Sequence, residues 1–284
     1  MDTAALLAGI ETAARQAGKI MLEADNIRAG TTAKAGHANF VTVYDKRVQA
    51  YLFGALGALL PEAQFIGEED GADAFTEADR HGYAFCIDPI DGTTNFVTGF
   101  RPSVTSIALL RDAQPYLGVV YNPYSGTMLS AVRGGGARCN GAPIRSSDEP
   151  LSRSLVMFGT APYLPELSER TFAVCADYLP RCIDLRRTGT AAWDLCNVAM
   201  GTVGLFFEMQ LQLWDYAAAG LIALEAGCCL TDLSGDALTW DGPSSVLCAS
   251  RGVAKEDYFP RVKKLPPSGG SFFIRVSCAC AASP

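Results

Sequence analysis

Residues 83–94 read Tyr-Ala-Phe-Cys-Ile-Asp-Pro-Ile-Asp-Gly-Thr-Thr, five largely apolar residues followed by two acids and a turn. An apolar run of this length, bounded by Pro89 and Gly92, predicts a buried strand that carries Asp88 and Asp91 at its C-terminal end. Pro89 has a fixed φ and no backbone N–H, so it stiffens the link between the two acids. The stretch therefore predicts a strand that ends in a pair of carboxylates.

The turn after this strand has the composition of an anion site. Gly92 allows a ligand to approach the backbone closely, and Thr93 or Thr94 is expected to be the N-cap of a following helix. The first N–H groups of a helix have no partner within it, so they bind anions. Carboxylates for cations beside N–H groups for an anion indicate metal-assisted phosphate chemistry. The same residue types also form ordinary capped turns, and the segment alone leaves both interpretations open.

Composition bounds the protein class. The 284 residues, of which 49% are hydrophobic and 19% charged, suffice for one large domain or two lobes that share a core. The net charge of −7 and the pI near 4.9 argue against binding to nucleic acid. No apolar stretch approaches the roughly 18 residues of a membrane span, and the acidic N-terminus does not resemble a signal peptide. We expect no nucleic-acid partner and no membrane partner.

The ten cysteines favour a reduced protein. Neither clustered pair, at 228–229 and 278–280, has a second pair or histidines at zinc spacing, and the chain has only two histidines. A cytoplasmic enzyme with free thiols is the simplest interpretation. Four cysteines lie inside apolar runs, where a free thiol behaves as a small hydrophobe: Cys86, Cys175, Cys196 and Cys248.

The hydrophobic periodicity predicts different secondary structure in the two halves of the chain. Helical patterns at 3–24 and 45–60 precede short strand-like runs with Gly and Asn-Gly turns, which predict an antiparallel sheet. From about residue 150 strands and helices alternate, which predicts an α/β half. The expected strands are 63–67, 83–88, 104–110, 116–121, 127–132 and 136–139, then 154–159, 182–187 and 203–208. The expected later helices are 165–179, 190–200 and 215–226.

Further acids stand at the ends of these elements. Glu68 and Glu69 follow a short strand, and adjacent residues of an extended chain point to opposite sides, so one can bind a cation while the other supports it. A solvated acidic turn is the alternative. Asp215 precedes a helix and can serve as its N-cap, and Glu208 ends an apolar strand. Lys34 and Asp45 lie near the second helix, where a surface charge is the alternative for each.

If these acids converge in one cleft, they indicate a particular chemistry. Their spacing in the sequence does not show whether they converge. Glu68, Asp88, Asp91 and Asp215 in one cleft would repel one another and raise pKa values unless cations intervene. Oxygen ligands without His or Cys select Mg²⁺. Two such ions about 3.5–4 Å apart clamp the attacking and leaving oxygens of a phosphoryl displacement.

Three motifs carry a family resemblance: Gly67-Glu68-Glu69, the run from Asp88 to Phe96, and Trp214-Asp215 followed, after nine intervening residues, by Glu225-Ala-Gly227. Together they resemble the signatures of the inositol monophosphatase family, over about residues 1–265. The resemblance implies an α/β fold layered as an αβαβα sandwich, with a mostly antiparallel N-terminal lobe (about 1–148) and an α/β lobe (149–265) in one catalytic domain. It also implies a lithium-sensitive, Mg²⁺-dependent phosphomonoesterase that forms a homodimer. The tail 266–284 matches nothing in the family.

Roles follow from the same resemblance. The implied ligands of two or three Mg²⁺ ions are Glu68, Asp88, the carbonyl of Ile90, Asp91 and Asp215. Glu68 and Thr93 are expected to orient the attacking water, Asp45 to support Thr93, and Glu69 and Lys34 to lie behind the ligands. The implied substrate-binding residues are Asp91, Gly92, Thr93, Gly189, Thr190, Ala191, Glu208 and Asp215. Two departures from the family pattern are Tyr44, at a usually small hydroxyl position, and Cys228, at a usual glycine.

The expected substrate is a small phosphorylated polyol, with inositol monophosphate first. Beyond Arg186 and Arg187 the mouth offers few obvious cations for a second phosphate, which favours a monophosphate over a bisphosphate. Histidinol phosphate, fructose 1,6-bisphosphate and adenosine 3′,5′-bisphosphate remain alternatives, as does a non-catalytic regulatory role. An aspartyl-phosphate mechanism needs Asp-x-Asp spacing, and Asp88 and Asp91 are one residue too far apart for it.

Overall fold

A computed structural model describes residues 2–33, 40–70 and 81–261. Lys34 and the tail 266–284 lie outside the described residues. The helices are α1 Thr3–Leu22, α2 Val43–Leu59, α3 Thr93–Thr98, α4 Ser168–Tyr178, α5 Ala191–Ala199 and α6 Leu213–Glu225. The strands are β1 Thr31–Ala33, β2 Phe40–Thr42, β3 Gln64–Gly67, β4 Tyr83–Asp91, β5 Val104–Arg111, β6 Gln114–Asn122, β7 Thr127–Val132, β8 Gly136–Cys139, β9 Ala142–Pro143, β10 Leu155–Phe158, β11 Asp184–Arg186, β12 Leu205–Leu211, β13 Cys229–Thr231 and β14 Ser244–Ala249.

The first two helices begin at capping residues. The Asp2 carboxylate accepts hydrogen bonds from the amides of Ala4 and Ala5 at the start of α1. Helix α2 starts two residues before the expected position because Thr42 and Asp45 form a capping box there. The Thr42 hydroxyl accepts from the Asp45 amide, and the Asp45 carboxylate accepts from the Thr42 amide at 2.7 Å.

The first half forms a seven-stranded sheet in the order β3-β4-β5-β6-β7-β8-β9. Its pairs are antiparallel, as predicted, except that β3 runs parallel to β4. From Ala84 onward β4 is buried on both faces, which explains its continuous apolar run. The strand thereby carries its terminal acids into the interior of the molecule.

The second half forms a five-stranded sheet in the order β11-β10-β12-β14-β13. Strand β10 pairs in parallel with β11 and β12, as the alternation of strands and helices predicts. Strands β13 and β14 are antiparallel additions that the sequence analysis missed. Both are short and consist largely of small residues, so their periodicity is weak.

The elements stack in five layers. Helices α1 and α2 pack on one face of the seven-stranded sheet through a core that includes Ile10, Leu52 and Phe85. Helices α5 and α6 fill the space between the two sheets, and α4 covers the outer face of the five-stranded sheet. Gly118 shows how close these layers lie, because a Cβ atom there would sit 2.6 Å from the carbonyl oxygen of Ala218 in α6. The predicted αβαβα sandwich is confirmed, whereas the division into lobes at residue 148 stays a prediction.

The two departures from the family pattern are accommodated outside the site. The Tyr44 hydroxyl lies 3.0 Å from the carbonyl oxygen of Asp25, and its ring meets Phe96 edge-on with centroids 6.0 Å apart. Cys228 is buried and forms a thiol hydrogen bond with Cys248. All cysteines in the described ranges are free thiols. In those same ranges no helix combines the length and apolar character needed to cross a membrane.

Candidate active site

A cleft of about 630 Å³ opens where the end of β4 meets α5, β12 and α6. Six acidic side chains line it: Glu68, Asp88, Asp91, Asp194, Glu208 and Asp215. Six further lining residues were implied as site residues by the family resemblance: Ile90, Gly92, Thr93, Gly189, Thr190 and Ala191. Tertiary packing thus brings together acids that lie almost 150 residues apart in the chain.

A β-bulge at the end of β4 presents both aspartates to this cleft. Asp88 is opposite Ser106 and Asp91 is opposite Val104, so β4 contains one extra residue between them. In a regular strand residues three apart point to opposite faces, and the extra residue removes that constraint. The Ile90 amide donates to Oδ1 of Asp88 at 3.0 Å and holds the bend.

The turn after β4 differs from the expected N-cap. Gly92, rather than Thr93 or Thr94, occupies the N-cap of α3, with a left-handed φ of 86° that favours glycine. A Cβ atom at Gly92 would also lie 2.4 Å from Oγ1 of Thr190. The Thr93 hydroxyl instead lies 3.1 Å from both Oδ1 of Asp45 and the carbonyl oxygen of Ile90, and it can donate to either.

Asp45 supports the site from behind without lining the cleft. Its Oδ2 accepts from the Thr42 amide and from the Thr42 hydroxyl at 2.5 Å, while Oδ1 faces Thr93. Burial raises the pKa of Asp45, and the hydrogen bonds from Thr42 oppose that effect. The carboxylate that starts α2 therefore also fixes the Thr93 hydroxyl.

Asp91 joins the two halves of the molecule. Its two oxygens accept hydrogen bonds from the amides of Ala191 at 3.2 Å and Ala192 at 2.7 Å, so it caps α5 from another sheet. Thr190, the residue at the N-cap position, donates its hydroxyl to the carbonyl oxygen of Pro102 instead. Asn95 reinforces this junction, because its amide nitrogen lies 2.9 Å from the carbonyl oxygen of Thr188.

Asp215 is the third residue of α6, not its N-cap. The helix begins at Leu213, two residues earlier than expected, and Gln212 occupies the N-cap position. Oδ2 of Asp215 reaches back and accepts from the Gln212 amide at 2.8 Å. This hydrogen bond holds the Asp215 carboxylate at the start of the helix, where it lines the cleft.

Crowding governs the electrostatics of the acids. Burial is the largest cause that raises the pKa of Asp88 well above its usual value, followed by the charges of Glu68, Asp91 and Asp215. Burial likewise raises the pKa of Asp91, with Asp215 as the next cause and the Ala192 amide as an opposing one. Asp88 and Glu68 are also hydrogen-bonded to each other, which requires a shared proton.

The donor set suits a hard cation. The carboxylates offer only oxygen, and a carboxyl pair that shares a proton is a place where a cation can replace the proton. In the three described ranges no group of three or more His, Cys, Asp or Glu side chains is arranged to hold a metal ion as it stands. The oxygens are engaged in the hydrogen bonds above, but each carboxylate oxygen keeps a second lone pair for a further partner.

Glu208 lines the cleft from strand β12. A bulge in β12 directly follows it, where Glu208 pairs with Val246 and Leu211 pairs with Ser244. Its Oε1 accepts from the Ala161 amide at 3.0 Å. Burial raises the pKa of Glu208 to about 7, against the opposing effects of the Ala161 amide and Arg187.

Several cleft residues were not anticipated as site residues. Asp194 is 1% exposed, and burial raises its pKa to about 8 although the Thr188 hydroxyl donates to it. Tyr163 also lines the cleft, and so does Arg187, which was considered only as a nearby cation. A single acid inside an amphipathic helix and a tyrosine in a loop carry no spacing signal that distinguishes them from surface residues.

Glu69 stands apart from the cleft lining. Its backbone amide donates to Oε1 of Gln49 at 3.1 Å, which ties the turn that carries Glu68 to helix α2. The placement suits the supporting position implied by the resemblance. The other residue expected there, Lys34, is outside the described residues.

Comparisons with known proteins agree with this geometry. A model of the inositol monophosphatase family matches residues 2–266. The chain is 35% identical over 243 residues to the Nus factor SuhB of Vibrio cholerae, covering 85% of this chain and 90% of that protein. It is 35% identical over 230 residues to human inositol monophosphatase 1, covering 79% and 82%.

Solved structures show the same architecture. The extragenic suppressor protein suhB from Bartonella henselae superposes with a TM-score of 0.78 at 30% identity, over 87% of this chain and 95% of that one. The SaIMPase-II structure with bound inositol monophosphate gives a TM-score of 0.74 at 27% identity, over 91% and 94%.

Proposed function

The chain belongs to the inositol monophosphatase family, and from that premise we propose that it hydrolyses a small phosphorylated polyol, inositol monophosphate first, to the alcohol and phosphate with Mg²⁺. The observation that carries the proposal is one cleft in which Glu68, Asp88, Asp91 and Asp215 face Glu208. The first four acids provide a cation site. The fifth provides an acceptor for alcohol hydroxyls.

We assign the metal ligands to the acids on the β4 side of the cleft. Two or three Mg²⁺ ions would be held by Glu68, Asp88, the carbonyl of Ile90, Asp91 and Asp215. Bound Mg²⁺ would neutralise the phosphate oxygens and lower the pKa of the attacking water. The raised pKa values of Asp88 and Asp91 support this assignment, because a cation relieves the repulsion that causes them.

Thr93 and Glu68 would orient the attacking water. When the Thr93 hydroxyl donates a hydrogen bond to Asp45, its oxygen lone pairs remain free to accept a hydrogen bond from water. Glu68, on the same cleft, would accept the second water proton. Asp45 would thus act through Thr93, by accepting the hydrogen bond that turns the lone pairs of the hydroxyl toward the water.

Backbone groups and Glu208 would hold the two ends of the substrate. We assign the phosphate to the backbone of Gly92 and Thr93. The alcohol would lie along the segment from Gly189 to Ala191, and Glu208 would accept hydrogen bonds from its hydroxyl groups. Asp91 and Asp215 would lie close to both the phosphate and the alcohol. Oε1 of Glu208 already accepts from Ala161, so Oε2 is the oxygen left for the substrate.

A substrate panel tests the proposal. The purified chain should release phosphate from inositol 1-phosphate only with Mg²⁺, and added Li⁺ should inhibit this release. Histidinol phosphate, fructose 1,6-bisphosphate and adenosine 3′,5′-bisphosphate are compared at equal concentration. Absence of Mg²⁺-dependent phosphate release from all four would refute the phosphatase assignment, and a preference for one of the last three would reassign the substrate.

Gly159→Ala should remove polyol recognition while the fold persists. A Cβ atom at Gly159 would lie 1.9 Å from Oε2 of Glu208, so the carboxylate must move. We expect kcat/KM for inositol 1-phosphate to fall at least about tenfold, the size expected for losing a charged hydrogen bond. Gly54→Ala is the control, because no atom lies within 4 Å of a Cβ there. Equal kcat/KM for the two variants would contradict this role of Glu208.

A regulatory role is the second candidate, favoured by the similarity to a protein named Nus factor. If the role is regulatory, cells that carry Asp91→Asn should retain that regulatory function, although the substitution removes a proposed metal ligand. The acids that line the cleft argue against regulation as the sole role. We further propose that the protein is a cytoplasmic homodimer, as its family resemblance implies.

A further inference from the structure

The loop 159–164 presents one tyrosine to the cleft. Three hydrogen bonds hold it: the Gly159 amide donates to the carbonyl of Phe207, the Ala161 amide to Glu208, and the Leu164 amide to the carbonyl of Ala161. Ala161 is fully buried with a φ of 39°, a left-handed conformation that bends the loop back toward the cleft. Tyr163 is therefore carried by a segment anchored to β12 and to the Glu208 carboxylate.

Tyr163 shares the cleft with acids of both proposed subsites. Burial is the first cause that raises the pKa of its phenol, and the charges of Asp215, Glu208, Glu68 and Asp91 add to it in that order. Three of these acids stand on the proposed metal side and one on the proposed alcohol side. Tyr163 therefore lines the same cleft as both proposed subsites, on the loop that the hydrogen bond from the Ala161 amide to Glu208 anchors.

The Tyr163 hydroxyl has no hydrogen-bond partner within residues 2–33, 40–70 and 81–261. A protonated phenol is both a donor and an acceptor. A phenol has an ordinary pKa of about 10, so at neutral pH it offers an O–H group to a ligand in the cleft. A ligand oxygen in the cleft is a partner that this hydroxyl can bind.

We propose that Tyr163 contacts the substrate and donates its hydroxyl hydrogen bond to the ester oxygen that joins phosphorus to the alcohol. This inference rests on the proposed phosphatase function and adds a residue that determines which leaving groups are cleaved. Alcohols with a high pKa are the substrates that need this donor, because their oxygen carries the most charge in the transition state.

Tyr163 keeps its proton throughout the reaction. Water attacks phosphorus, the ester P–O bond breaks, and its electron pair stays on the alcohol oxygen. One water hydrogen remains on the new phosphate oxygen or is lost from it, and the other reaches the alcohol oxygen through the site. The phenol only stabilises the negative charge on that oxygen until the proton arrives.

Tyr163→Phe tests the inference because it removes the hydroxyl and keeps the ring. We expect kcat for inositol 1-phosphate to fall about tenfold, the size of one hydrogen bond realised in the transition state. For p-nitrophenyl phosphate, whose leaving group is acidic, kcat should stay within about twofold. KM for both should be unchanged. Tyr83→Phe, at the far end of β4, is the matched control and should resemble the parent chain.

Three outcomes would overturn the inference: an unchanged kcat for both esters, an equal fall for both esters, or a rise in KM alone. The last would place the hydroxyl on another substrate group. Hydrolysis of both esters by the parent chain is measured first. Its absence would refute the proposed function, whereas an active parent with an unaffected Tyr163→Phe variant would refute only the role of Tyr163.

Discussion

Asp91→Asn should lower kcat for inositol 1-phosphate at least about a hundredfold, because it replaces a proposed metal ligand at the centre of the cleft. The variant keeps the size of the side chain but replaces one oxygen with an NH₂ group, which donates and cannot accept. Both oxygens of Asp91 now accept amide hydrogen bonds from α5. The substitution therefore affects the site and the helix that the site depends on.

The fold should survive this change. Losing one helix-capping acceptor costs about 0.5–2 kcal/mol, while removal of a crowded buried charge offsets part of that loss. Circular dichroism and thermal unfolding measure the stability, and phosphate release measures the turnover. Asp112→Asn is the control, since Asp112 lies in an exposed turn with a φ of 51° that asparagine tolerates. Asp91→Asn turnover above about a tenth of the parent value would contradict the assignment of Asp91 as a ligand.

The metal-free protein should lose stability as pH rises from the unfolded aspartate pKa of about 4 through the raised pKa values of the folded state, and Mg²⁺ should restore it at the upper end. Asp88 and Asp91 have raised pKa values in the folded chain, so between the unfolded and folded values the folded state binds more protons. Excess proton binding by the folded state makes the unfolding free energy fall with rising pH. The loss begins near the unfolded aspartate pKa of about 4 and is complete above the folded pKa.

The size of this effect follows from linkage. Each unit by which the folded pKa exceeds the unfolded one removes about 1.4 kcal/mol, and each kcal/mol shifts Tm by roughly 2–4 °C in a chain of this size class. We therefore expect Mg²⁺ to raise Tm by several degrees at pH 8 and by less at pH 5. Thermal scans in a chelator and in Mg²⁺ at both values measure the difference.

Asp88→Asn separates the acid cluster from the remaining titrating groups. The variant removes the carboxylate whose pKa is raised by burial and by three other acids, so its metal-free form should be more stable than the parent at pH 8. Its Mg²⁺-dependent rise in Tm should be much smaller. Identical pH slopes and identical Mg²⁺ shifts for the parent and the variant would show that the cluster neither destabilises the metal-free fold nor binds the cation.

The local hydrophobic pattern of the sequence was sufficient to predict many of the helices and strands. The helical repeat of α1 and the apolar run of β4 depend on residues that are near one another in the chain, so their burial could be predicted from the sequence. Helix starts were less accurate. Thr42 and Gln212 begin their helices earlier than expected because Asp45 and Asp215 reach back to them. The short strands β13 and β14 were missed because three to six small residues carry little periodicity.

By itself the sequence determined the residue types on which the proposed chemistry rests: acids that can supply oxygen ligands, a glycine turn beside them, and the motifs that resemble one family. Only the tertiary structure decided how these parts meet. Asp91 caps a helix 100 residues away, and Glu208 divides its oxygens between a loop and the cleft. Tyr163 enters the site only because that loop folds over it. Chain-local patterns record which face of an element is buried, whereas the convergence of distant side chains arises from the packing of five layers, which no local spacing encodes.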